Sequence, residues 1–141
     1  FPIHAKRPGV ECSPGTFIYW DAGYGNLLKE QPYLYAALLL CRVLSKPGPG
    51  LICVDLGHKS VAAENPLANR VTFLNAPELE PIGQIEEHLV FKTEKADQYS
   101  VGQILYGLPF HICPTVALYD YAWAVTNGKA VSKWETVARK K

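Results

Sequence analysis

Short apolar runs separated by glycine and proline set the rhythm of this chain, which is how a sequence of many short strands reads. Ser13-Pro14-Gly15-Thr16 predicts a turn. Phe17-Ile18-Tyr19-Trp20 predicts an aromatic strand ended by Asp21 and Gly23. Gly23 to Pro32 reads as a loop with one helical turn at Asn26 to Glu30. Tyr33 to Leu44 is ambiguous, because Ala36 to Leu40 suits a helix by propensity. The Lys46-Pro47-Gly48-Pro49-Gly50 turn and the apolar run Leu51 to Asp55 behind it favour a hairpin. Val71 to Leu74, Glu87 to Phe91 and Ile104 to Cys113 predict further strands, with a polar loop at Ala96 to Ser100. Val116 to Val125 and Ala130 to Val137 flank Asn127-Gly128, the signature of a type I′ hairpin. After Lys46 only a turn near Val61 to Asn65 has helical character. The sum is a mostly β protein with little helix, an antiparallel barrel or sandwich.

Composition narrows the class. A chain of 141 residues with 48% hydrophobic and 19% charged residues fits one globular domain with a real core. A net charge of +1 gives no footprint for nucleic acid or an anionic membrane, and Arg139-Lys140-Lys141 reads as a solvated tail. The longest apolar run, Tyr33 to Cys41, falls short of the ~18 residues of a membrane span and is followed by Arg42. His4, Lys6, Arg7 and two prolines in Phe1 to Gly9 are unlike a secretory signal, so a cytoplasmic location is expected. Cys12, Cys41, Cys53 and Cys113 are then expected as reduced thiols, and no C-x-x-C pair suggests a closed structural zinc site. The chain contains no methionine, so a piece of a longer or processed protein is expected.

His111 and Cys113 carry the sharpest chemistry. On an extended strand, residues two apart share a face, with Cα atoms ~6.6 Å apart at ~3.3 Å per residue. An imidazole and a thiolate so placed can grip one ion, and that donor pair suits Zn2+ better than Mg2+ or Ca2+. Two protein ligands leave positions for water or substrate, as at a catalytic ion. The spacing alone fits a core cysteine beside a half-buried histidine better than a metal pair, because motifs this short recur by chance. Gly15 and Thr16 offer a second candidate, a turn whose N–H groups and hydroxyl can hold a phosphate; a plain β-turn is the alternative. Asp55-Leu56-Gly57-His58-Lys59 and Glu86-Glu87-His88 hold titratable groups that could line a site or lie on a solvated surface.

Glu11-Cys12-Ser13-Pro14-Gly15-Thr16-Phe17, Asp55 to Lys59, Glu86-Glu87-His88-Leu89 and Pro109-Phe110-His111-Ile112-Cys113-Pro114-Thr115 occur in this order over nearly the whole chain. In that order they resemble the C-terminal half of D-threonine aldolase-like and D-serine dehydratase-like proteins, enzymes of the alanine racemase-like fold type III. The resemblance implies an N-terminal (β/α)8 barrel that lies largely outside this chain and carries the Schiff-base lysine, so no catalytic residue is assigned here. It implies that residues 1–30 are the tail end of that barrel or a linker, and that residues 31–141 are the C-terminal β domain. It implies pyridoxal 5′-phosphate as cofactor, with Gly15 and Thr16 at its phosphate. It also implies Zn2+ or Mn2+ held by His111 and Cys113, a D-3-hydroxy amino acid as substrate, lyase chemistry of aldolase or dehydratase type, and a homodimer. Ser13 stands where alanine racemases place an arginine against the pyridine nitrogen, which argues against racemase chemistry. An isolated piece is expected to be inactive and to expose apolar surface around Phe17 to Trp20. A non-catalytic β-barrel binding module without metal and a disulfide-stabilised secreted domain are the alternatives.

Overall fold

Along β1 (Leu39–Ser45) Cys41 and Val43 are buried while Leu40 and Arg42 are exposed, the period-two signature of a sheet with one wet face. The same alternation buries Ile52 and Val54 in β2 (Leu51–Val54), Val71 and Phe73 in β3 (Val71–Phe73), and Leu89 and Phe91 in β5 (Leu89–Lys92). With β4 (Glu80–Gln84) and β6 (Ile104–Pro109), these strands form one six-stranded antiparallel sheet in the order β3-β6-β1-β2-β5-β4. These features belong to a computed structural model that describes residues 2–139.

The sheet is strongly curled. Phe73 and Phe91 lie on strands separated by β6, β1 and β2, yet their rings meet edge to face with centroids 5.3 Å apart. Contact across three intervening strands requires the sheet to bend around its own core as a half-barrel, an extension of normal strand twist. Val43, Ile52, Leu56, Val61, Leu89 and Leu105 fill the space inside. The expected antiparallel β architecture with little helix is what the chain adopts.

The β1–β2 hairpin around the Pro/Gly turn is present, as is the last hairpin, β7 (Tyr121–Thr126) with β8 (Lys129–Glu135). Asn127 and Gly128 take φ values of 50° and 74°, the positive pair that a type I′ turn requires. This hairpin forms its own two-stranded sheet, and Trp123, Val125, Val131 and Trp134 are exposed on it.

Three expectations need correction. Phe17 to Trp20 is not a strand: Gly15–Tyr19 forms a 3-10 helix, closed by Trp20 at φ 46°. Trp20 is buried, with its ring against Tyr24 and Tyr33, so the aromatic run signalled burial and not a strand. Of the apolar surface expected there, Ile18 is exposed and Trp20 is not. The helical turn expected at Asn26 to Glu30 lies earlier, as α1 (Ala22–Leu27), because Asp21 caps it. Finally, β6 stops at Pro109, and His111 and Cys113 are not on a strand: helix α2 spans Ile112–Val116, with His111 at its N-cap position. Proline offers no N–H to extend the ladder, and Pro114 sits in the first turn of α2, where the missing N–H costs nothing. Strand β4 had no sequence signal because Glu80-Pro81-Ile82-Gly83-Gln84 carries a proline and a glycine around a bulge at the sheet edge. Lys140 and Lys141 of the basic tail lie outside the described residues.

Candidate metal and cofactor site

The site is built on one buried carboxylate. Asp21 Oδ1 accepts the Tyr24 N–H at 2.8 Å and caps α1; Asp21 Oδ2 accepts the Ile112 N–H at 2.7 Å and caps α2. Residues 91 apart in sequence are thus joined through a group that is 3% exposed. Beside it, the Gly23 N–H donates to the Phe110 carbonyl at 2.9 Å. A Cβ on Gly23 would stand 2.7 Å from that oxygen, so the close approach of the two segments needs glycine.

This joint brings the two sequence-derived candidates together. Thr16 Oγ1 lies 2.6 Å from Cys113 Sγ, in hydrogen-bond contact, so the Pro-Gly-Thr turn and the His-x-Cys segment touch. Gly15, at φ 61°, starts the 3-10 helix that presents Thr16. His111 faces an open cleft of about 570 Å3 lined also by Asp21, Tyr24, Leu27, Asn65 and Phe110. Its Nδ1 lies 2.5 Å from Glu64 Oε1, and both side chains are nearly half exposed. Thr115 ties α2 to the neighbouring segment, donating to the His111 carbonyl at 2.8 Å and accepting the Ala62 N–H at 3.2 Å.

The other sequence candidates gather elsewhere. The His58 and Lys59 N–H groups donate to the Ile85 and Glu86 carbonyls at 2.9 and 3.0 Å, and Lys59 Nζ pairs with Glu87 at 2.9 Å. That pairing holds the Glu87 carboxyl below its ordinary range and the Lys59 ammonium above its own. The two motifs therefore fasten one loop to another, and the ion pair is solvated. Asp55 Oδ1 accepts the Arg42 N–H at 2.5 Å. All four cysteines are free thiols. Burial, assisted by the charge of Asp55, pushes the Cys41 thiol up to about 12, which keeps it an inert core group.

The donors at His111 and Cys113 fit a borderline-soft divalent ion. One is an imidazole with a ring nitrogen already engaged by a carboxylate, the other a partly exposed thiol beside a hydroxyl. Among the described residues no cluster of three His, Cys, Asp or Glu side chains is placed to enclose a metal. Asp21 and Glu64 were missed in the sequence. Asp21 has a recognisable signal, an aspartate just before a helix; Glu64 has none, since its partner lies 47 residues away.

A family model described as "Putative serine dehydratase domain" matches residues 36–125. The chain belongs to this family. A D-threonine aldolase from Arthrobacter sp. is 30% identical to this dehydratase-domain chain over 133 residues, 92% of the chain and 34% of that protein. Among solved structures, D-threonine aldolase from Filomicrobium marinum superimposes with a TM-score of 0.74 at 21% identity, over 86% of this chain and 34% of that one. D-threo-3-hydroxyaspartate dehydratase from Delftia sp. HT23 does so with a TM-score of 0.58 at 22% identity, over 72% and 32%. For a D-threo-3-hydroxyaspartate dehydratase, a cysteine-to-alanine mutant in a metal-free form and a histidine-to-alanine mutant are also similar structures; the two mutated positions are two residues apart. The chain thus spans about a third of the length of these relatives.

Proposed function

We propose that this serine dehydratase-domain chain is the C-terminal, β-rich part of a pyridoxal-phosphate- and divalent-metal-dependent lyase acting on D-3-hydroxy amino acids. Residues 1–30 would then be the tail end of the cofactor-bearing barrel or a linker, and residues 31–141 the C-terminal β domain, in a homodimer. The observation that carries the reading is the contact between Thr16 and Cys113, 97 residues apart, which joins the Pro-Gly-Thr turn to the His-x-Cys segment. The kinship with a D-threonine aldolase supports the substrate class. The two-residue spacing of the mutated histidine and cysteine in the hydroxyaspartate dehydratase, the spacing of His111 and Cys113, supports the pair as ligands to Zn2+ or Mn2+. Among the described residues no helix is long and apolar enough to cross a membrane.

The chain's own residues have distinct tasks. His111 would contribute a ring nitrogen and Cys113 its sulfur to the ion. Gly15 and Thr16 would supply backbone N–H groups for the cofactor phosphate, while the Thr16 hydroxyl is directed at Cys113 Sγ. Asp21 fixes the N-terminus of α2, the helix that carries Cys113. With two protein ligands, such an ion would keep room for the substrate's β-hydroxyl. When bound, pyridoxal phosphate supplies an electron sink at the substrate's α-carbon, and the metal supplies Lewis acidity at the β-hydroxyl.

The test is turnover by the full-length protein, loaded with both groups and offered D- and L-threonine, serine and 3-hydroxyaspartate. Cleavage to an amino acid and an aldehyde, or dehydration to a keto acid and ammonia, is expected for D-substrates. His111→Ala should lower the rate by about two orders of magnitude. Turnover of L-substrates alone, or turnover indifferent to chelator and to His111→Ala, would overturn the reading.

A further inference from the structure

We infer that Glu64 is a positioning residue for His111: it holds the proton on Nδ1 and leaves Nε2 as the ring nitrogen presented to the metal. This rests on the proposal that His111 is a ligand, and adds to it a residue that neither the His-x-Cys motif nor its spacing identifies.

The geometry is direct. Glu64 Oε1 lies 2.5 Å from His111 Nδ1, in direct hydrogen-bond contact. A carboxylate can only accept, so in this pair the nitrogen carries the proton. The two ring nitrogens project from opposite edges of the imidazole, so a carboxylate on Nδ1 occupies one edge and frees the other. The bond therefore selects one tautomer and fixes the ring rotation.

The segment bearing Glu64 is anchored on both sides, which distinguishes this contact from a chance surface pair. Upstream, Ala62 N–H is held by Thr115 Oγ1 at 3.2 Å, and the Ser60 carbonyl accepts from Tyr119 Oη at 2.7 Å. Downstream, Arg70 Nε donates to the Asn65 carbonyl at 2.9 Å, while the Arg70 carbonyl accepts the Phe110 N–H at 3.0 Å. Thr115 also binds the His111 carbonyl, and Phe110 is the residue before His111. The backbone that delivers Glu64 and the backbone that delivers His111 are thus laced together at both ends. Glu64 itself is nearly half exposed, so replacing it leaves the core intact.

The experiment compares wild type, Glu64→Gln, Glu64→Ala and His111→Ala as the full-length protein. It reads zinc affinity by competition with a chromophoric chelator, and the His111 tautomer in the metal-free protein by long-range proton–nitrogen NMR. Wild type is expected to hold the Nδ1–H tautomer and bind zinc, with binding abolished in His111→Ala. Glu64→Gln and Glu64→Ala are expected to weaken zinc binding about 10–100-fold. They should also release the tautomer preference, with an unchanged melting temperature. Zinc affinity and tautomer both unchanged in Glu64→Gln and Glu64→Ala, while His111→Ala abolishes binding, would overturn the role of Glu64 and leave the metal reading standing. Zinc binding unaffected by His111→Ala would overturn both.

Discussion

Tyr99 shows how single contacts outside the site set the pH behaviour of the fold. Its hydroxyl donates to Glu78 Oε1 at 2.7 Å. The phenol is pushed up to about 12, first by burial and then by the carboxylate it binds; the Glu78 carboxyl is held below its ordinary range, first by the same bond. The lowered carboxyl contributes stability that is present above its unfolded value and lost as pH falls through its folded value. The raised phenol contributes stability that is present below its unfolded value and lost as pH climbs towards 12. Tyr99→Phe should therefore cost about 1 kcal/mol in urea unfolding near pH 7 and close to nothing near pH 2. An equal cost at both pH values would mean that packing and not the bond matters. Little of this residue-level chemistry was legible in sequence. His111, Cys113, Gly15 and Thr16 stood out because their types and short spacings suggest chemistry. Asp21, Glu64 and Tyr99 act through partners that only folding brings near.

At the level of elements, local signals were read well where they were sufficient. The Asn127-Gly128 turn and the Pro/Gly turn at Lys46 to Gly50 each specify a hairpin within a dozen or so residues, and both hairpins formed. The failures came where tertiary contacts overrule local preference. Phe17 to Trp20 has strand composition but no strand to pair with, and its aromatics pack on Tyr33 and Tyr24. The run Ile104 to Cys113 looked continuous, yet Pro109 ends the ladder and Asp21 offers the next free N–H a cap. Helices of six and five residues are too short to persist by propensity. Their shared cap should therefore be decisive: Asp21→Ala should cost about 2–4 kcal/mol, from a lost cap and an orphaned buried N–H. Urea unfolding measures this, and a cost below about 0.5 kcal/mol would show that α1 and α2 hold without it.

Across the whole molecule, the candidate site lies beside the curled sheet, where the chain before β1 folds back against the turn after β6. The order of motifs along the chain was legible because it spans the full length. Their convergence was not, because it depends on a cap 91 residues away and a hydroxyl–thiol contact 97 residues away. Metal binding at His111 and Cys113 is the proposal that this convergence must support. Zinc K-edge absorption on the zinc-loaded protein tests it most directly. The account predicts one sulfur at about 2.3 Å and an imidazole nitrogen at about 2.0–2.1 Å, with the sulfur shell lost in Cys113→Ser. A zinc ion surrounded only by oxygen and nitrogen in the wild type, or a sulfur shell that survives Cys113→Ser, would contradict it.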